Sequence, residues 1–290
     1  MKARTRAAVI AGLAAVLTVW PGSAMSDTVA DQGIRYVALG DSRAAGPYLD
    51  AAALLDGCAR ADAGYPNLVA RSLQVVSFTN VACTGARTEH LTSVPQETTT
   101  GPMPPQIEAL APDTDLVTVS IGGNDVGWSG LVSSCYTDLP GGDAHCRTDP
   151  GTTSRMTAAL DALGPKVTGA LTAVRQRAPR ARVLLVGHGG VYGNRACWPN
   201  IPTSDADAVF VTDFFTRMNR VLAASAAAAG AEFVDVTVGT EGHDACAPSE
   251  QRWYEGRQSL SLARPLHPTA AGMRHMAQRV LDAVQRNADR

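Results

Sequence analysis

No Gly-x-Ser-x-Gly pentapeptide occurs anywhere in the 290 residues. The nucleophile elbow of a conventional α/β-hydrolase is therefore absent. No Cys-x-x-Cys pair occurs either, and the six histidines are scattered, so neither a metal site nor a cofactor is expected. Basic residues form no clustered face with interleaved aromatics, which argues against a nucleic-acid partner. Internal repeats and linker-like stretches are missing too. Beyond the N-terminus no apolar run approaches the ~20 residues of a spanning helix, so no stable membrane span is expected.

What the N-terminus does carry is an export pattern. Lys2, Arg4 and Arg6 precede an apolar run from Ala7 to Trp20, and Pro21-Gly22-Ser23-Ala24 ends in a small-x-small pattern. The run is short for an anchor, so cleavage after Ala24 and secretion are expected. The formal charge is −2 for the whole chain. Loss of three basic residues leaves 22 basic groups against 27 acidic ones, about −5. Residues 25–290 suit one large α/β domain better than two small ones.

Six cysteines in an exported chain suggest three disulfides, for which sequence alone allows 15 pairings. The sequential set is expected: Cys58 with Cys83, Cys135 with Cys146, and Cys197 with Cys246. Each would close a loop beside one of the chemically interesting segments.

Short runs rich in Val, Leu and Ile, mostly apolar on both faces, predict buried parallel strands at residues 35–39, 76–81, 116–121, 182–186 and 232–236. Helical patterns at 65–74, 105–110, 154–177, 205–229 and 268–287 fill the gaps, with Pro268 suited to a first helical turn. The alternation predicts a doubly wound parallel sheet with right-handed crossovers. Three long connections, 126–153, 187–204 and 238–266, hold four of the six cysteines. Tied-down loops of that length are usually functional.

The chemistry lies at strand exits. Gly40-Asp41-Ser42 follows the first strand, Cys83-Thr84-Gly85 the second, and Gly122-Gly123-Asn124-Asp125 the third, while His267-Pro268 opens the last helix. In such sheets a site forms beyond the carboxyl ends of the strands. A hydroxyl, an imidazole, a backbone N–H and a side-chain amide are the parts of a serine hydrolase. Each segment alone has an ordinary reading as a turn or cap; their joint order is the signal.

These four segments resemble the sequence blocks of the SGNH (GDSL-type) hydrolase superfamily over almost the whole of residues 25–290. The chain resembles in particular the secreted, three-disulfide actinobacterial esterases and lipases. The resemblance implies a flavodoxin-like sheet of five parallel strands between helices. It also implies Ser42 as nucleophile and His267 as base, with Ser42 N–H, Gly85 N–H and the Asn124 side chain as oxyanion donors. Arg43 stands where the family usually has Leu, a change expected to matter little.

A larger departure is Arg264, three residues before His267, where the family usually places Asp. A guanidinium cannot accept the imidazole Nδ1–H. The expectation is a Ser42–His267 dyad held by the Arg264 main-chain carbonyl, with a distant carboxylate such as Glu241 or Asp244 as the alternative. The implied enzyme is a monomer acting on acyl or lipid esters. A carbohydrate O-acetyl esterase and a non-catalytic surface module are the competing readings. Asp41 and Asp125 read as turn and cap residues, His188 as part of a Gly-rich strand exit, and Arg43 as solvated or drawn to anionic head groups. Trp128, Trp198 and Trp253 are candidate apolar walls, equally explained by loop packing.

Overall fold

Alternation along the strands assigns every second side chain to one of two cores. The structure is a computed structural model and describes Met1 and residues 33–286. The expected export segment, its cleavage point and the end of the last helix at residue 287 lie outside the described residues. Five strands form the sheet: β1 (Arg35–Gly40), β2 (Ser77–Asn80), β3 (Leu116–Ser120), β4 (Arg182–Val186) and β5 (Glu232–Val234). All pair in parallel, in the order β2-β1-β3-β4-β5. This is the flavodoxin-like doubly wound order. A small antiparallel hairpin at Gln96–Thr98 and Gly101–Met103, not expected from the sequence, stands apart from the sheet.

Val37 and Leu39 of β1 face one core and Tyr36 and Ala38 the other. Met156, Leu160 and Leu163 of α2 (Pro150–Arg177) and Phe214, Met218 and Leu222 of α3 (Asp205–Ala228) fill the first. Tyr65 and Val69 of α1 (Tyr65–Leu73) fill the second with Met273, Met276 and Val280 of α4 (Ala270–Gln285). Full burial of each such side chain is worth roughly 1.5–3 kcal/mol, and covering both faces explains the apolar runs of the central strands.

Two expectations need correction. β2 is an edge strand with Ser77 and Thr79 exposed, so it is not apolar on both faces. Helix α4 starts later than its sequence pattern suggests. The Thr269 hydroxyl accepts the Gly272 N–H and caps the helix, which leaves Pro268 outside, bridged to Tyr254.

The disulfides are Cys58–Cys83, Cys135–Cys146 and Cys197–Cys246. The first spans a sequence separation of 25, worth about 3.5 kcal/mol in the chain-entropy account. It also fixes the turn after β2, where Thr84 N–H donates to Cys58 O. No described helix is long and apolar enough to cross a membrane. Among the described residues no group of three or more His, Cys, Asp or Glu is placed to hold a metal ion.

Candidate active site

β1 ends where only glycine fits. Gly40 has φ +142°, and a Cβ there would lie 2.5 Å from the Ser120 carbonyl oxygen of β3. The Gln106 side chain grips Gly40 twice, accepting its N–H at 2.7 Å and donating to its carbonyl at 2.9 Å. Asp41 Oδ1 then accepts the Arg43 N–H at 2.9 Å, which starts the helical turn Ser42–Ala45. Ser42 is thus held at the strand tip, largely buried with its hydroxyl facing a small pocket.

The imidazole arrives from a tight turn. His267 N–H donates to Arg264 O, with Pro265 at the second position and Leu266 at φ +62° in the third. Positive φ is unfavourable for a leucine, and such strain concentrates at functional sites. His267 Nε2 lies 2.8 Å from Ser42 Oγ, across 225 positions of sequence. Its Nδ1 lies 2.8 Å from Pro265 O. The carbonyl expected to hold the ring therefore needs correction. Arg264 O is taken by the His267 backbone N–H, and the next carbonyl in the turn, that of Pro265, faces the ring.

Past β3, Gly122 at φ +110° turns the chain into the helical turn Gly123–Val126. Asn124 Nδ2 donates to Ala86 O at 2.9 Å, leaving one amide hydrogen for the pocket. Asp125 is not a local cap. It reaches Thr88, accepting the hydroxyl at 2.6 Å and the N–H at 3.2 Å, and so ties this turn to the helix Thr88–Thr92. Gly85, at φ +87°, sits in the adjoining turn. Among the described residues no acceptor takes the N–H of Ser42 or of Gly85. Ser42, Asn124 and His267 line one pocket of about 20 Å³, room for a single water-sized group. Gly85 does not line it.

Asp41, Arg43 and His188 line the same pocket as Ser42 and form a buried polar layer that composition did not reveal. Arg43 is only 6% exposed, so its expected solvated role is overturned. Its Nη2 donates to Gly189 O at 3.3 Å and its guanidinium carbon lies 5.6 Å from the centre of the Tyr254 ring. His188 is buried too, packed against Gly123 so closely that a Cβ there would meet its ring at 2.5 Å. Its Nε2 is 3.9 Å from Asp41 Oδ2.

Burial pushes the Asp41 carboxyl up to about 7, against the opposing pull of the Arg43 N–H and guanidinium. Burial first, then the Arg43 cation, hold His188 well below the ordinary imidazole range. His267 falls from 6.5 to about 4, chiefly by burial. The Pro265 carbonyl opposes that shift, and the Arg43 and Arg264 charges add to it.

Trp128 lines the pocket with Phe215. Trp253 is instead sandwiched between His243 and His275, with ring centres 3.9 and 4.4 Å away, and Trp198 is exposed. Neither of those two lines the Ser42 pocket. Gln106 and the Pro265 carbonyl escaped the sequence reading. A Pro at the second turn position was the available signal for the latter.

The sequence profile described as the GDSL-like Lipase/Acylhydrolase family matches residues 38–275. The chain belongs to that family. Lipase 2 of Streptomyces coelicolor is 33% identical over 259 residues, covering 86% of this chain and 85% of that one. A crystal structure of phospholipase A1 from Streptomyces albidoflavus superposes with a TM-score of 0.68 at 26% identity, covering 87% of this chain and 99% of that one. An extracellular lipase from Streptomyces rimosus gives 0.67 at 28% identity, with the same coverage. This GDSL-family chain is accordingly a carboxylic-ester hydrolase.

Proposed function

We propose that this family member is an exported serine esterase or lipase that works through a Ser42–His267 dyad and an acyl-enzyme. The 2.8 Å contact between Ser42 Oγ and His267 Nε2 carries the reading. With Nδ1–H donated to Pro265 O, the lone pair at Nε2 faces the hydroxyl, the tautomer a general base needs. His267 takes the Ser42 proton as Oγ attacks the ester carbonyl. The free N–H groups of Ser42 and Gly85, with the spare Asn124 hydrogen, receive the developing oxyanion. His267 returns its proton to the departing alcohol, and water then releases the acid by the same sequence. Export is supported by the N-terminal pattern and the three disulfides, and lipid esters by the relatives' names.

A panel of 4-nitrophenyl esters of rising acyl length tests the reading. The wild type is expected to turn over and Ser42→Ala to fall to background on every ester. Equal rates in the two would remove Ser42 from the mechanism.

A neutral acceptor stabilises an imidazolium less than a carboxylate does, and the nearby Arg43 charge disfavours it further. His267, lowered to about 4 chiefly by burial and further by the Arg43 and Arg264 charges, stays a free base well below the ordinary 6.5. The acid limb of kcat/KM, which reports the free enzyme, is expected nearer pH 4 than 6.5. A limb at 6.5 or above would contradict this arrangement. Stability carries the same sign: the unfolded chain binds the extra proton first, so stability present above 6.5 is lost as pH falls toward 4.

A further inference from the structure

A second, larger cleft of about 500 Å³ opens beside the Ser42 pocket. The two share Gly189 and Phe215, so an ester held at Ser42 can extend from one into the other. Its walls are the long loops that leave β4 and β5, with Thr212 and Thr216 of α3. The Cys197–Cys246 disulfide ties the two loops together. Arg195 Nη2 reinforces it, donating to Cys246 O at 2.8 Å, and the Cys246 N–H donates to Asp244 Oδ1 at 2.7 Å. The cleft is therefore pre-shaped.

Its lining mixes polar side chains with aromatic and threonine carbon, but offers no aliphatic wall. No Ala, Val, Leu, Ile or Met side chain lines it. Among the described residues, neither the Asn194 amide nor the Glu241 carboxylate hydrogen-bonds to the protein, and both face this space. A Cβ at Gly193 would fall 2.1 Å from Asp244 Oδ2, so only glycine leaves room for that carboxylate in the cleft wall. One aromatic wall completes it, with Tyr192 and Phe215 stacked at 5.9 Å. An alkyl chain here would cover polar groups without satisfying them, which is unfavourable. Neighbouring hydroxyls on a short carbon skeleton would satisfy the amide and the carboxylates and lay their C–H faces on the rings.

We propose that this cleft binds the polyol half of the ester, the glycerol or sugar hydroxyls next to the bond that is cut. The assignment rests on the Ser42–His267 reading. The acyl group is thereby left outside the cleft, and specificity on this side falls on the alcohol.

Matched acetates isolate the alcohol: ethyl acetate, glycerol monoacetate and glucose monoacetate, each with the wild type, Asn194→Leu/Glu241→Leu, and Thr216→Leu from the opposite wall. The exposed positions of these residues make folding of the variants readily checked by thermal unfolding. The wild type is expected to favour at least one polyol acetate over ethyl acetate by about tenfold in kcat/KM. Either variant should shrink that ratio by a similar factor, mainly through KM. The order of glycerol and glucose acetates tells a glyceride site from a sugar-ester site. Equal rates on ethyl and polyol acetates, or a ratio that neither variant moves, would overturn the assignment. Failure of a phosphonate to label Ser42 would instead strike the dyad.

Discussion

His267→Ala is expected to lower kcat by roughly 10⁴-fold or more, with the fold intact. A serine hydroxyl at its ordinary pKa is a poor nucleophile, so the whole attack step depends on a base within reach. Among the described residues only His267 hydrogen-bonds to Ser42 Oγ. The other nearby imidazole, His188, lines the same pocket but is almost wholly buried and makes no hydrogen bond to Ser42. The His267 ring is half-buried on a surface turn, so truncating it leaves no large cavity in either core. Steady-state kinetics beside a thermal-unfolding control separate lost chemistry from lost folding. A fall of only about tenfold in a folded variant would mean that another group takes the proton.

Asn124→Ala should reduce kcat by about 10²–10³-fold while KM moves little, since an oxyanion donor acts in the transition state and not on the bound ester. One hydrogen of the amide is committed to Ala86 O, which aims the other. The substitution therefore removes a donor and also loosens the turn that carries Gly85. A neutral hydrogen bond of this kind is worth about 1 kcal/mol of stability, too little to explain a thousandfold kinetic loss. An unchanged kcat would take Asn124 out of the reaction.

Much of this site could be read from residues alone because it is built from local rules. Gly40-Asp41-Ser42 follows an apolar run, so its position at a strand tip follows from the period of the run. Gly122 and Gly123 supply the positive φ and the close approach that the next turn needs. The order β2-β1-β3-β4-β5 then sets the exits side by side. What escaped depends on geometry across the chain or on the backbone. The Pro265 carbonyl has no side-chain signature, and its selection over Arg264 O follows from which carbonyl the His267 N–H occupies in the turn. Gln106 contacts Gly40 across 66 positions, in a segment with no marked pattern.

Arg43 is buried against the expectation for an isolated cation. A lone Arg after the nucleophile reads as a solvated charge, since guanidinium groups are almost never fully buried without partners. Here Gly189 O and the face of Tyr254 receive it, and both arrive from loops far along the sequence. Burial is the larger cause of the shifts at Asp41, His188 and His267; the Arg43 charge lowers all three, opposing burial only at Asp41. A change of one apolar residue for one cation thus reaches His267, the proposed base. The missing carboxylate before His267 and the added charge after Ser42 act in the same direction, toward a neutral imidazole.

One labelling experiment bears most directly on the dyad. An organophosphonate ester is incubated with the wild type, His267→Ala and Ser42→Ala, and the adduct is located by peptide mass spectrometry. A single adduct on Ser42 is expected in the wild type, formed far more slowly in His267→Ala and absent in Ser42→Ala. An adduct on any other residue, or labelling at Ser42 equally fast without the imidazole, would contradict it.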